Sequence, residues 1–558
     1  MEENIKPKLI VRKGFISKDL DVNALLPEII AQRNTDPIQI VEVPATNTNP
    51  WDVAHAAKET NMAYSFAEPE VESAAAFYSQ PNFDEKGEIT EETYYSFLEH
   101  WPHPEEPSIW HLGSDYSQLK PAKDAVAKLP SKRVVRIAHF DTGYDKNHIS
   151  FPSKLIRYDL ARNFVDDEME NWNNAEDNFS NGLLNMPGHG TGTLSILAGI
   201  KNKINQYTFD DYIGLYDSIE IVPVRIAKSV VLFKSGAFVR ALDYVVNELY
   251  KNDANRVHVI TMSMGGLASA AWADLINLAY DKGIFMVTAA GNNFKKLPTR
   301  TMVYPARFNR VVAACGVTYD FSPYVKPWGE GGLHIMEGNY GPDSLMNTAI
   351  AAFTPNVPWA IYRFSEIVGI RGNGTSSATP QIAAAAALYY IKYYDQLEAL
   401  PEPWMRVEAI RNALFSSARK EINTAGNVYE NDILKYYGNG ILQANDMLNC
   451  PVADAKQLTK QKEDNARFAF FKSIVGLKAM EVELTNDAAE EEMIETELMQ
   501  LVLTDHEMQQ ILNNEEKNIN DLNREEQKML ASVVIKNPDS SETLKTRMQL
   551  LLNQLNLE

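Results

Sequence analysis

Three glycine-bounded turns carry, in chain order, a carboxylate, an imidazole and a hydroxyl: Asp141-Thr142-Gly143, Gly188-His189-Gly190-Thr191-Gly192-Thr193 and Gly374-Thr375-Ser376-Ser377-Ala378-Thr379-Pro380. A carboxylate can hold an imidazole in one tautomer and stabilise its cation, and that imidazole can take the proton of a serine hydroxyl; this is the chemistry of acyl transfer. Ser376 opens an alanine-rich stretch of helical composition, so unpaired N–H groups would surround an oxyanion formed there. Pro380 is expected within the first turn of that helix, where the N–H it lacks has no partner anyway. A lone Asp, His or Ser is more often a cap or a structural residue. It is their order and shared glycine setting that make Asp141, His189 and Ser376 a candidate triad. Asn292, in Ala289-Ala-Gly-Asn-Asn just past an apolar run, offers a side-chain amide as a further oxyanion donor, in preference to Asn293.

The elements that must position these groups are legible as alternating strands and helices. Short β-branched runs at Val134–Phe140, Ile219–Ile226, Val257–Ser263, Ile284–Ala289 and Val311–Cys315 read as buried strands. Between them, Gly236–Tyr250 and Ala268–Asp281 read as helices, the second stopped by Lys282-Gly283. The fold class expected is α/β, a three-layer doubly wound, mostly parallel sheet with working residues at the C-terminal strand ends. Residues 1–75 read as a small α+β unit, with strands at Ile38–Val43 and Met62–Phe66 and a helix from Pro50. Residues 76–130 read as a polar, proline-punctuated surface connection, 131–449 as the main domain, and 450–558 as an acidic, mainly helical region. In that last region Asp539-Ser-Ser-Glu542 reads as a capping box opening a final amphipathic helix. A bundle packing on itself or on the main domain is the preferred reading of 450–558, with a protein-partner surface as the other.

The 558 residues carry a formal charge of -21, which argues against nucleic acid or an anionic membrane as the main partner. Two cysteines, Cys315 and Cys450, allow neither a disulfide framework nor a thiolate zinc cluster. Charges throughout Met1–Phe15 leave no signal-peptide core, and no spanning stretch follows, so a cytoplasmic location is expected.

At the three turns the chain resembles the subtilisin-like serine peptidases, from about Trp110 to Leu448. Asp141-Thr-Gly is similar to the family's aspartate motif, with His148 near its usual downstream histidine. Gly188-His-Gly-Thr is similar to the histidine motif, with Gly192 in place of a common second histidine. The resemblance implies that Asp141 orients, His189 is general base and acid, Ser376 attacks and Asn292 donates to the oxyanion. It also implies that Ser263-Met264-Gly265 offers main chain to an extended peptide substrate, and that the segment ending in Tyr64-Ser-Phe-Ala-Glu-Pro-Glu is a propeptide. Trp110-His-Leu-Gly resembles the start of the mature enzyme, so a zymogen is expected. Many relatives bind calcium; no EF-hand-like run is present, no cofactor is expected, and calcium stays open. A catalytically silent binding module, or a ligase or cyclase using the same acyl-enzyme, are the competing functions.

Overall fold

The computed structural model describes residues 7–13, 38–43, 48–61, 64–74, 101–105, 108–177, 188–200, 213–215, 218–228, 232–294, 300–325, 336–422, 432–468, 488–517 and 521–557. They form two compact units: residues 1–72, 267–278 and 464–558 in one, 73–266 and 279–463 in the other.

The larger unit is built on a seven-stranded sheet. Its order is Ala349–Phe353, Val312–Val317, Phe285–Ala289, Val259–Met262, Val135–Asp141, Ile219–Arg225, Arg162–Asn163, and every pairing among these strands is parallel. Successive strand residues face opposite sides, and both sides are covered. Ile137 joins the apolar core with Ala378 and Ile382 of helix Thr375–Lys392. Phe140, of opposite parity, meets Phe238 of helix Ser235–Asp243 edge-on, with ring centroids 5.9 Å apart. This is the expected three-layer α/β architecture.

Local differences from expectation have physical causes. Strand Ala349–Phe353 is alanine-rich and carries little β-branched signal. The helix from Ser235 passes through a π turn at Tyr244–Glu248 into a 3-10 turn at Leu249–Lys251. Residues 109–126 are not a surface connection. Ile109, Leu112, Leu119, Ala122 and Val126 belong to the main core, and helix Leu119–Ala127 buries its apolar side. Most of 75–108 lies outside the described residues.

The smaller unit has a three-stranded antiparallel sheet, Ile38–Glu42, Lys8–Lys13 and Tyr64–Pro69 in that order, with helix Pro50–Thr60. The central strand, Lys8–Lys13, was not anticipated; only three apolar residues separate its charged ends. The same unit contains helices Ala488–Thr504, Arg524–Lys536 and Glu542–Leu557 and the start of helix Ala270–Asp281. The last helix is capped differently from expectation. Ser541, not Asp539, accepts from Leu544 N (3.0 Å), and Glu497 of another helix receives the Ser541 N–H (2.6 Å).

Candidate active site

Strand Val135–Asp141 places His139 and Asp141 two residues apart, hence on one face of the sheet. Helix His189–Ala198 presents His189 and Thr193 four residues apart, hence on one face of the helix. The two periods meet. His189 Nδ1 lies 2.7 Å from Asp141 Oδ1, Thr193 Oγ1 donates to Asp141 Oδ2 at 2.9 Å, and His139 Nε2 lies 2.9 Å from Thr193 Oγ1. Because the Thr193 hydrogen goes to the carboxylate, His139 must donate its Nε2–H to the Thr193 oxygen. Thr142 N–H also donates to Asp141 Oδ1, at 2.7 Å.

Electrostatics follow from this arrangement. Burial alone would raise the Asp141 carboxyl, but His189, its hydrogen bond, His139 and the Thr142 N–H outweigh it and hold Asp141 below the usual range. Burial pushes His139 down to about 4, against the pull of Asp141, so it is a neutral donor. Asp141 therefore remains the charged partner, and His189, giving Nδ1–H to it, presents Nε2 as a proton acceptor.

The turns are tied from behind by Asp177, in the segment that follows strand Arg162–Asn163. Asp177 Oδ2 accepts from Gly188 N at 2.6 Å and from Thr142 Oγ1 at 3.3 Å, and Oδ1 accepts from Arg225 at 3.2 Å. Burial pushes Asp177 up to about 6, despite Arg225. Arg225 also donates to the Thr142 carbonyl and bidentately to Glu168, at 2.9 and 3.0 Å. Asp177 and Glu168 thus give structural support. Residues 178–187 lie outside the described set.

Ser376 is the second residue of helix Thr375–Lys392. Its hydroxyl donates to Ser263 O at 3.1 Å, and Ser263 Oγ donates to Ser376 O at 3.0 Å. This reciprocal pair corrects the expectation for Pro380, which is the sixth helical residue and not within the first turn. Its missing N–H would have bonded Ser376 O, and the Ser263 hydroxyl takes that place. Among the described residues the Ser376 hydroxyl bonds Ser263 O and not His189. A proton transfer from Ser376 to His189 would require the hydroxyl to exchange one acceptor for the other.

Asn292 pairs through its strand, Asn292–Phe294, with Met336–Gly338. Its Oδ1 accepts from Thr375 N at 2.8 Å, which fixes the carboxamide with Nδ2 as its donor end. Gly374 has φ +71, and a Cβ there would lie 2.8 Å from Asn292 Nδ2, so glycine is required by conformation and by space. Ser263 and Met264 are buried, and Gly265 precedes Gly266, whose N–H donates to Tyr304 O at 2.7 Å. His148 is structural: its Nε2 lies 2.9 Å from Ile367 O, and its Nδ1 accepts from Ser150 N.

Four contributors escaped sequence reasoning: His139, Thr193, Asp177 and Trp359. Trp359 stands edge-on to His189, ring centroids 5.9 Å apart. A Cβ on residue 192 would lie 2.4 Å from the Trp359 ring, so glycine there leaves room for the indole. No described group of three or more His, Cys, Asp or Glu side chains gathers as a metal site, and no described helix is long and apolar enough to cross a membrane.

Residues 132–440 match the model of the subtilase family, Peptidase_S8. The chain belongs to the subtilase family. It is 25% identical to subtilisin E of Bacillus subtilis over 60% of this chain and 72% of that protein. It is 25% identical to subtilisin DY of Bacillus licheniformis over 46% of this chain and 75% of that one. A thermostable alkaline protease of Halalkalibacterium halodurans is 27% identical over 37% of this chain and 48% of that protein. The structure of the prenylagaramide maturation protease PagA aligns with 59% of this chain and 98% of its own, at TM-score 0.40 and 20% identity. This subtilase is thus a subtilisin-like serine protease, a hydrolase whose family acts on protein or peptide substrates.

Proposed function

We propose that this subtilase is an endopeptidase working through an acyl-enzyme, with Asp141, His189 and Ser376 as its triad. The observation that carries the reading is the 2.7 Å bond between His189 Nδ1 and a buried carboxylate held ionised by its partners. His189 takes the Ser376 proton as the hydroxyl attacks the peptide carbonyl; the Ser376 N–H and Asn292 Nδ2 receive the oxyanion; His189 then protonates the leaving amine and activates water. Asp141 holds the tautomer and balances the imidazolium. Ser263-Met264-Gly265 continues from strand Val259–Met262 and offers its main chain to an extended peptide, with Ser263 O exchanging its Ser376 partner as substrate arrives.

We further propose that residues 1 to about 75 act as an inhibitory propeptide, that processing occurs before Trp110, and that the enzyme works in the cytoplasm. Resemblance in the N-terminal segment supports the first two points, and a composition with two cysteines supports the third. The acyl-enzyme is tested by stopped-flow hydrolysis of an activated ester. A burst stoichiometric with enzyme in wild type, absent in Ser376→Ala, is expected; a burst of equal size in both would refute the role of Ser376. Intact mass after incubation tests the zymogen: an N-terminal piece released by wild type and not by Ser376→Ala is expected, and unchanged full-length mass with full activity would refute it.

A further inference from the structure

The two ends of the chain, residues 1–72 and 464–558, belong to one compact unit. Three strands and one helix make a small core: Leu9, Val11, Trp51 and Phe66 are buried together, and Met493 of helix Ala488–Thr504 completes the cluster. A sheet of this size needs further cover to be stable. Polar contacts identify what supplies it. Trp51 Nε1 donates to Gln500 Oε1 at 3.0 Å, while Gln500 Nε2 donates to Ala268 O at 2.7 Å. Arg12 reaches Asp274 at 2.5 Å and Glu492 at 3.5 Å. Two side chains, Gln500 and Arg12, thus each join all three segments of the unit.

Helix starts are shared as well. Asp52, in the first turn of helix Pro50–Thr60, accepts the Glu542 N–H at 2.8 Å, and the cap residue Asn49 donates to Asp539 O at 2.8 Å. Each of these contacts pairs a residue of the first 72 with one of the last 95, and the Trp51–Gln500 bond is buried. Breaking it inside this buried setting would leave the Trp51 indole N–H and Gln500 Oε1 without each other, a penalty that slows separation.

We propose that the C-terminal helices are the binding partner of the N-terminal unit and retain it after the chain is cut. Hydrolysis of one peptide bond between residues 74 and 108 would leave the N-terminal piece in place, and its release would require the C-terminal helices to be removed or displaced. Region 450–558 is then an intramolecular clamp. The regulatory consequence, inhibition that outlasts the first cut, rests on the propeptide reading; the retention does not.

The test uses the full chain carrying Ser376→Ala, with recognition sites for two different site-specific proteases inserted, one within 81–100 and one within 469–487. After the first cut alone, the N-terminal piece should co-elute with the rest on gel filtration. After both cuts it should leave the catalytic piece at least about tenfold faster. Release after the first cut, or equal retention after both, overturns the proposal. Gln500→Ala, checked for folding by circular dichroism, should speed release about tenfold after the first cut; a folded variant that releases no faster also overturns it. The same cuts in the chain with Ser376 intact read inhibition separately. Peptide turnover should rise only after the second cut. Turnover that rises while the N-terminal piece stays bound would refute the inhibitory reading and leave retention standing.

Discussion

The unit that holds Asp141 and the unit made of the chain ends both bury polar side chains, but to different ends. Around Asp141, the hydrogen bonds of His189, Thr193 and Thr142 converge on one carboxylate inside a sheet whose apolar faces are covered by helices of the same unit. In the other unit, Gln500 and Arg12 lie between segments and hold them together. Polar burial therefore tunes a charge in the first case and sets connectivity in the second. Substitutions around Asp141 should change kcat with little change in stability, and substitutions in the smaller unit should do the reverse.

The largest effect expected is that of Ser376→Ala, a loss of at least about 10⁴-fold in kcat on a short peptide with the unfolding midpoint nearly unmoved. Steady-state kinetics and calorimetry check both halves. Asn292→Ala should lower kcat by about 10²- to 10³-fold with KM close to wild type, because the donor acts on charge that develops only in the transition state. A matching rise in KM would make Asn292 a ground-state contact instead.

In the smaller unit the reporter is Glu68, fully buried, accepting from Ser269 Oγ at 2.7 Å and from Ala270 N at 3.0 Å. Burial pushes it up to about 7 against these donors. A carboxyl raised on folding contributes stability that is complete below its unfolded value, near 4.5, and is lost as pH rises through about 7. The stability of this unit in the uncut chain should fall between pH 5 and 8, by on the order of 3 kcal/mol at most, and Glu68→Gln should flatten that slope.

The smallest effect expected is in Thr193→Val, which removes one donor from Asp141 and the acceptor of His139. A fall in kcat of about tenfold is expected. The Thr193 hydroxyl donates to the Asp141 carboxylate, so without that donor the charged form is less favoured and activity should begin to fail at a higher pH on acidification. An unshifted pH profile would leave Thr193 a packing residue only.

The motifs around Asp141, His189 and Ser376 were legible because glycine turns mark them locally, and five of the seven sheet strands because β-branched runs do. What escaped depends on periods meeting across space. His139 looked like any strand residue until a helix laid Thr193 over it, and Gly192 gave no hint of Trp359. Ser263 was expected to serve substrate, and its reciprocal bonds with Ser376 follow from a proline whose helical position was misplaced by one turn. The pairing of Trp51 with Gln500 joins residues 449 apart, which no local pattern encodes.

Ser376 is proposed here as the nucleophile activated by the His189–Asp141 pair. Labelling the processed enzyme with a fluorophosphonate, followed by peptide mass mapping, tests it directly. One adduct per chain on Ser376, greatly slowed in Asp141→Asn and absent in Ser376→Ala, is the predicted result. An adduct on another residue, or equal labelling of wild type and Ser376→Ala, would contradict it.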